Sequence, residues 1–206
     1  CQSLPVDESA YDFDRLPEIQ ELQQELEQAK TTGNPFLRVY DGIACDAIET
    51  QNRRLLDFSN YNYLGLSGDP RVAEAAKKAI DRYGTSVSAS RVVSGERPLH
   101  GELERRLAEF LGTEACLTFF SGHPTNVTTI GHLLGPKDLV LADAFIHNSI
   151  VEGVRLSGAT RLTFRHNALA HLEELLAANR HQFERVLIAV EGLYSMDGDA
   201  PPLPPL

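Results

Sequence analysis

Three short segments hold residue types that could act on a bound ligand. The first is Ser121-Gly122-His123-Pro124-Thr125-Asn126. A Ser-Gly turn that passes straight into a helical pattern leaves backbone N–H groups unpaired at the helix start. With the positive end of the helix dipole they would suit a phosphate. An ordinary strand-to-helix turn, with Gly serving only the tight bend, would read the same way. Neither GxxxxGK[ST] nor GxGxxG occurs. The second segment is Asp143-Ala144-Phe145-Ile146-His147-Asn148-Ser149. An imidazole opening a helix could cover a planar ring or exchange a proton near neutral pH, although a polar helix cap is the plainer reading. The third runs from Glu191 through Ser195 to Asp199 and joins a carboxylate, a hydroxyl and a tight Asp-Gly turn. The seven histidines form no HExxH or other i, i+4 pair, and His166 and His171 are five apart, so no metal site is expected.

These segments need a frame. Residues 115–120, 139–142, 161–164 and 186–190 are short apolar runs of strand type, and helical patterns over 125–134, 148–156 and 168–179 lie between them. Such alternation predicts an α/β fold: a mostly parallel sheet with helices on both faces. Ligands then sit beyond the carboxyl ends of the strands, after residues 120, 142 and 190. Upstream, Ile19, Leu22, Leu26 and Ala29 recur at helical spacing over residues 15–30, and Gly33-Asn34-Pro35 should stop that helix. Residues 36–40 and 55–58 read as strands around a polar hairpin. Asp69-Pro70 opens another helix, with Val72, Ala75, Ala76, Ala79, Ile80 and Tyr83 on its apolar side and Gly84 as its stop. A further helix starts near Pro98, carries Leu99, Leu103, Leu107 and Phe110, and ends at Gly112.

The formal charge of -10 and pI near 5.1 argue against nucleic acid or an anionic membrane as partner. Cys1, Cys45 and Cys116 form no CxxC pair, so no disulfide framework is expected. With no apolar stretch of bilayer length, the chain is expected to be soluble and cytoplasmic. It does not begin with Met and closes on a proline-rich run, which is expected to mark a piece of a longer polypeptide. The prolines between Pro201 and Pro205 fit the spacing of a PxxP docking ligand.

Taken in order, residues 56–203 resemble the α-oxoamine synthases, pyridoxal-phosphate (PLP) enzymes of the aspartate-aminotransferase fold (fold type I). The resemblance rests on Ser59-Asn60-Tyr61-Asn62-Tyr63-Leu64-Gly65-Leu66, Ser90-Arg91-Val92-Val93-Ser94-Gly95, and His100 with Leu103-Glu104. Ser121-Gly122, Asn126, Asp143, His147 with Ser149, and the run from Glu191 to Asp199 complete it. Residues 1–14, acidic and without periodicity, read as a linker; residues 15–68 read as an N-terminal helix and small-strand segment, and the resemblance implies that 69–206 is the first part of the PLP-binding large domain. Gly122 and His123 would offer amides to the PLP phosphate, His147 would lie over the pyridine ring and act in catalysis, and Ser195 would bond the phenolic oxygen. Tyr61 and Ser90 would contact substrate. The implied reaction condenses an amino acid with an acyl-CoA or acyl-carrier-protein thioester, with loss of CO2, to an α-amino ketone, in a homodimer.

Some of the wording also resembles oxoamine synthase domains fused to polyketide synthases, such as a saxitoxin-type starter module. The family's Schiff-base lysine and its pyridine-nitrogen aspartate have no counterpart here. The only lysines are Lys30, Lys77, Lys78 and Lys137, so these residues alone should be inactive. The alternative is a non-catalytic partner subunit of a serine palmitoyltransferase-like heterodimer.

Overall fold

The computed structural model describes residues 12–32, 39–50 and 53–203. The chain divides into two compact units, residues 1–90 and residues 91–206.

In the first unit a single 3-10 turn, Phe13–Arg15, precedes helix α1, Pro17–Thr32. Ile19, Leu26 and Ala29 are half-buried at their predicted spacing, while the charged and amide positions face water. Gly33-Asn34-Pro35 and residues 36–38 lie outside the described residues. Strand β1, Ala47–Thr50, pairs antiparallel with β2, Arg53–Leu56, with Ala47 opposite Leu56. This corrects the expected pairing. Val39 and Tyr40 form no strand, and Asp41 adds only a single bridge to Glu49. A partner two residues away in sequence costs less loop-closure entropy than one fifteen residues back. Helix α2, Pro70–Tyr83, starts as the sequence directs: the Asp69 carboxylate accepts from the Arg71 N–H at 2.8 Å, Pro70 takes the first turn, and Gly84 ends it at φ 75°. Its apolar side is largely uncovered within this unit, with Val72 and Ile80 half exposed.

In the second unit, five residues of π-helical winding, Arg91–Gly95, lead into α3, Pro98–Leu111, which Gly112 closes in the left-handed conformation at φ 66°. The core is a three-stranded parallel sheet in the order β4-β3-β5. Here β3 is Leu139–Asp143, β4 is Thr160–Phe164 and β5 is Val186–Ala189. Every residue of the central β3 is buried: four apolar residues covered on both faces, then Asp143 at its carboxyl end. Helices α4, Gly122–Leu133, and α5, Asn148–Ser157, cover one face. There Ile130 and Val154 pack on Val140, Ala142 and Ala189. Helix α6, Leu169–Asn179, covers the other face, where Leu172 meets Leu139, Leu141 and Phe164.

The strand expected over residues 115–120 is absent. A strand exists by pairing, and no described strand lies beside this segment; the Thr118 N–H donates to the Glu104 carboxylate at 2.9 Å instead. No helix among the described residues is long and apolar enough to cross a membrane.

Candidate active site

The carboxyl ends of β3, β4 and β5 bring their loops together. His147 follows β3 as the N-cap of α5, where its Nδ1 accepts from the Ser149 N–H at 3.1 Å. The Ser149 hydroxyl lies 2.7 Å from the same nitrogen, and Asn126 of α4 donates to that hydroxyl at 2.9 Å. The backbone N–H of His147 donates to the carboxylate of Glu191, just past β5. The imidazole is thus held at Nδ1 by Ser149 and its backbone by Glu191, while the residue stays exposed.

Gly122 and His123 form the first turn of α4. The Ser121 carbonyl accepts from the Thr125 N–H at 3.1 Å and from its hydroxyl at 2.8 Å, so regular helix bonding starts at Thr125. Pro124 has no N–H. Among the described residues no acceptor meets the amides of Gly122 or His123, which leaves two donors at the positive end of a twelve-residue helix. His123 and His147 face each other edge to face, with ring centroids 6.2 Å apart at 79°. This contact brings the α4 start beside the β3 loop.

Past β5, Tyr194, Ser195, Met196 and Asp197 line an open cleft of about 270 Å³ with Phe145 of the β3 loop. A tight turn shapes that rim. The Gly198 N–H donates to the Tyr194 carbonyl and the Tyr194 N–H to the Asp199 carbonyl, both at 2.8 Å, with Gly198 at φ 72°. Ser195 and His147 therefore stand on loops that share Phe145 and Glu191. Tyr61 and Ser90 belong to the first unit, where both are exposed and Tyr61 rests 6.4 Å from Tyr63.

The sequence analysis named Asp143 and Asp199 but missed His166 and Asn167, which join them into the floor of this region. Asp143, 1% exposed, accepts from the Phe145 N–H at 2.8 Å and the Asn167 N–H at 2.9 Å, and meets His166 Nδ1 at 2.7 Å. His166 Nε2 lies 3.0 Å from Asp199, which also accepts from the Asn167 side chain at 2.9 Å. Burial pushes the Asp143 carboxyl up, but the His166 ring and the two amides outweigh it and hold the group below its ordinary value. The same bond to Asp143, with Asp199 beyond it, raises His166. Burial lifts the Tyr194 phenol to about 12. The signal was in the sequence: residues 161–164 read as a strand, so the loop after Phe164 stands at the same end of the sheet as those after residues 142 and 190.

Lys137, the one lysine of the second unit, precedes the amino end of β3 and pairs with Glu184 at 2.7 Å. That is the end of the sheet opposite the cleft. Among the described residues no cluster of three or more His, Cys, Asp or Glu could hold a metal ion.

The family described as aminotransferase class I and II matches residues 53–206. A protein from Parvibaculum lavamentivorans named for 8-amino-7-oxononanoate synthase is 48% identical over 153 residues, 74% of this chain and 39% of its own length. Serine palmitoyltransferase from Bacteriovorax stolpii is 38% identical over 169 residues, 82% of this chain and 40% of its own. Among solved structures, serine palmitoyltransferase from Sphingomonas wittichii superposes with a TM-score of 0.86 at 34% identity, over 92% of this chain and 48% of that one. A serine palmitoyltransferase from S. paucimobilis with a bound PLP–myriocin aldimine gives 0.86 at 31% identity, over 93% and 48%. The chain spans less than half the length of each of these relatives.

Proposed function

The chain belongs to the class I and II aminotransferase family, within its α-oxoamine synthase branch, and from that premise we propose that it supplies the phosphate- and ring-binding half of a PLP-dependent acyltransferase. The reaction joins an amino acid to an acyl thioester, with decarboxylation, to give an α-amino ketone. One observation carries this reading: an exposed imidazole and a cleft lined by Ser195 stand on the loops past β3 and β5, and beside the imidazole the start of α4 holds two amides with no acceptor among the described residues.

The donor set fits PLP. Two free N–H groups at a helix start suit a phosphate dianion. A flat imidazole held at its inner nitrogen suits the face of a pyridine ring, and the Ser195 hydroxyl suits its phenolic oxygen. When bound, PLP supplies an electron sink for a carbanion. Gly122 and His123 hold the phosphate through their backbone. His147 covers the ring and keeps water from that face, acting in catalysis as an oriented hydrogen-bonding group. Tyr61 and Ser90 contact the substrates. We place the reaction in a cytoplasmic homodimer, and in a polyketide-synthase-type protein in the narrower reading.

The test uses the complete gene product with PLP. Expected are retention of PLP through dialysis, an amino-acid-dependent change in its visible spectrum, and CO2 release on adding an acyl-CoA or acyl-carrier-protein thioester. Loss of PLP on dialysis, with no CO2 from any pairing, would sink the proposal.

A second reading is a non-catalytic subunit, without a Schiff-base lysine, which completes the site of a serine palmitoyltransferase-like partner; it fits the place of Lys137 at the end of the sheet opposite the cleft. Borohydride reduction of the complete product with PLP separates the two: a labelled lysine supports the catalytic reading, and none supports the partner subunit.

A further inference from the structure

Ser149 is 1% exposed and forms part of no surface that a substrate could reach, yet it meets His147 through both its hydroxyl and its amide. The direction of each bond can be worked out from donor inventories. A backbone N–H only donates, so Nδ1 of His147 accepts from Ser149 N at 3.1 Å. The Asn126 amide nitrogen donates to Ser149 Oγ at 2.9 Å, which leaves the serine proton free to point at Nδ1, 2.7 Å away. Two donors then converge on one ring nitrogen. A proton there would face both of them.

We infer that Asn126 and Ser149 form a relay that sets the tautomer of His147, placing the neutral ring's proton on Nε2 and so making this exposed residue a hydrogen-bond donor at its outer nitrogen. The inference deepens the proposed role of His147 and rests on it only for its bearing on catalysis. Both are positioning residues, since they act through the imidazole.

The helix pair is built to allow this. A Cβ on Gly153 of α5 would stand 2.9 Å from Ile130 Cβ and 3.0 Å from the Asn126 carbonyl oxygen. Only a glycine there lets α5 approach α4 closely enough for Asn126 to span to Ser149. Neutral histidine presents one donor and one acceptor nitrogen, and the partner of the inner nitrogen decides which is which. A donor at Nε2 can hold an electron-rich oxygen or ring substituent, whereas an acceptor there would repel one.

The experiment is two-bond 1H–15N correlation on the complete protein labelled at its histidine rings, with and without PLP. His147 is assigned from the signal lost in His147→Gln. The wild type is expected to show Nε2–H over Nδ1–H by at least roughly fivefold, the ratio that a net hydrogen bond of ordinary strength gives. In Ser149→Ala the ratio falls several-fold because one donor is gone. In Asn126→Asp it falls likewise, because the carboxylate takes the serine proton and turns the oxygen lone pairs toward Nδ1. Ser149→Thr, which keeps the hydroxyl, restores the wild-type ratio. Unchanged signals from the other histidines report an intact fold in each variant. An Nδ1–H pattern in the wild type, or a ratio indifferent to Ser149→Ala and Asn126→Asp, overturns the inference. The apo measurement needs no cofactor, so a relay present in a protein that never binds PLP would fault the proposed function and leave the relay standing.

Discussion

The imidazole of His166 lies face to face with Phe145, centroids 4.4 Å apart and planes 24° apart, and meets Tyr194 edge-on at 4.6 Å. Its two nitrogens reach Asp143 at the end of β3 and Asp199 beyond β5. One side chain from the loop after the edge strand β4 therefore ties together the loops that follow β3 and β5, and the rings it packs against are two of the walls of the Ser195 cleft.

That bridge makes stability depend on pH. The raised His166 value gives a contribution complete below the ordinary 6.5 and lost as pH rises through the higher folded value. The lowered Asp143 value gives one complete above the ordinary 3.8 and lost as pH falls through the lower folded value. The Tyr194 phenol, at about 12, stays protonated throughout. Thermal midpoints measured across pH should thus be highest between these limits. His166→Gln should abolish the decline on the alkaline side, and a variant that kept the wild-type decline would show the wrong group had been named.

Two glycines on the α4–α5 seam should respond differently to alanine. At Gly153 the new methyl would meet backbone and a Cβ, neither of which can move away, so Gly153→Ala should destabilise by about 1–3 kcal/mol despite alanine's better helix propensity. At Gly131 it would meet the Leu156 side chain, the nearest atom 2.6 Å away. Leu156 is 60% exposed and free to rotate outward, so Gly131→Ala should stay within about 1 kcal/mol of wild type. Urea denaturation of both variants gives the comparison.

The His123 side chain and its amide can be tested apart. His123→Phe keeps the N–H and should leave phosphate or PLP affinity within a few-fold. His123→Pro removes the donor at a first-turn position that tolerates proline, and should cost about 1.5–3 kcal/mol of binding, as a charged hydrogen bond would. Isothermal titration with inorganic phosphate and with PLP measures both. Equal losses in the two variants would assign the contact to the ring.

Glu104 ties the segment after α3 to the start of the second unit. It pairs with Arg91 and accepts from the Thr118 amide and hydroxyl, at 2.9 and 3.0 Å. The Arg91 guanidinium, followed by the Thr118 amide, holds its carboxyl down at about 2. Glu104→Ala should therefore remove hydrogen-exchange protection from Thr118 while sparing Val140 at the sheet centre. Loss at both positions would mean global unfolding.

What the sequence revealed follows the range of the forces involved. Helix α2 was readable because Asp69, Pro70 and Gly84 act on their immediate neighbours, and β3 because a parallel strand covered on both faces is apolar over nearly all its length. Residues 115–120 have the same apolar character but no ladder, since pairing depends on chain far away in sequence. The partner of β2 was misjudged because Ala47-Ile48-Glu49-Thr50 has too little apolar alternation to stand out. In the candidate site, Gly122, His147 and Ser195 were singled out from their segments and given roles only through the family resemblance. His166, Asn126 and Glu191 carry roles visible only once distant loops meet, which no spacing rule encodes.

Pro124 limits what the start of α4 can do. A phosphate has three terminal oxygens, and a helix opening ordinarily offers several amides to share among them; here the third residue of the turn has no hydrogen to give. Two donors saturate one oxygen, or touch two singly, and most of the anion's lone pairs remain open. Any phosphorylated ligand docking here is thus gripped on one flank only, and its residence time is governed as much by whatever closes over the other flank as by this helix.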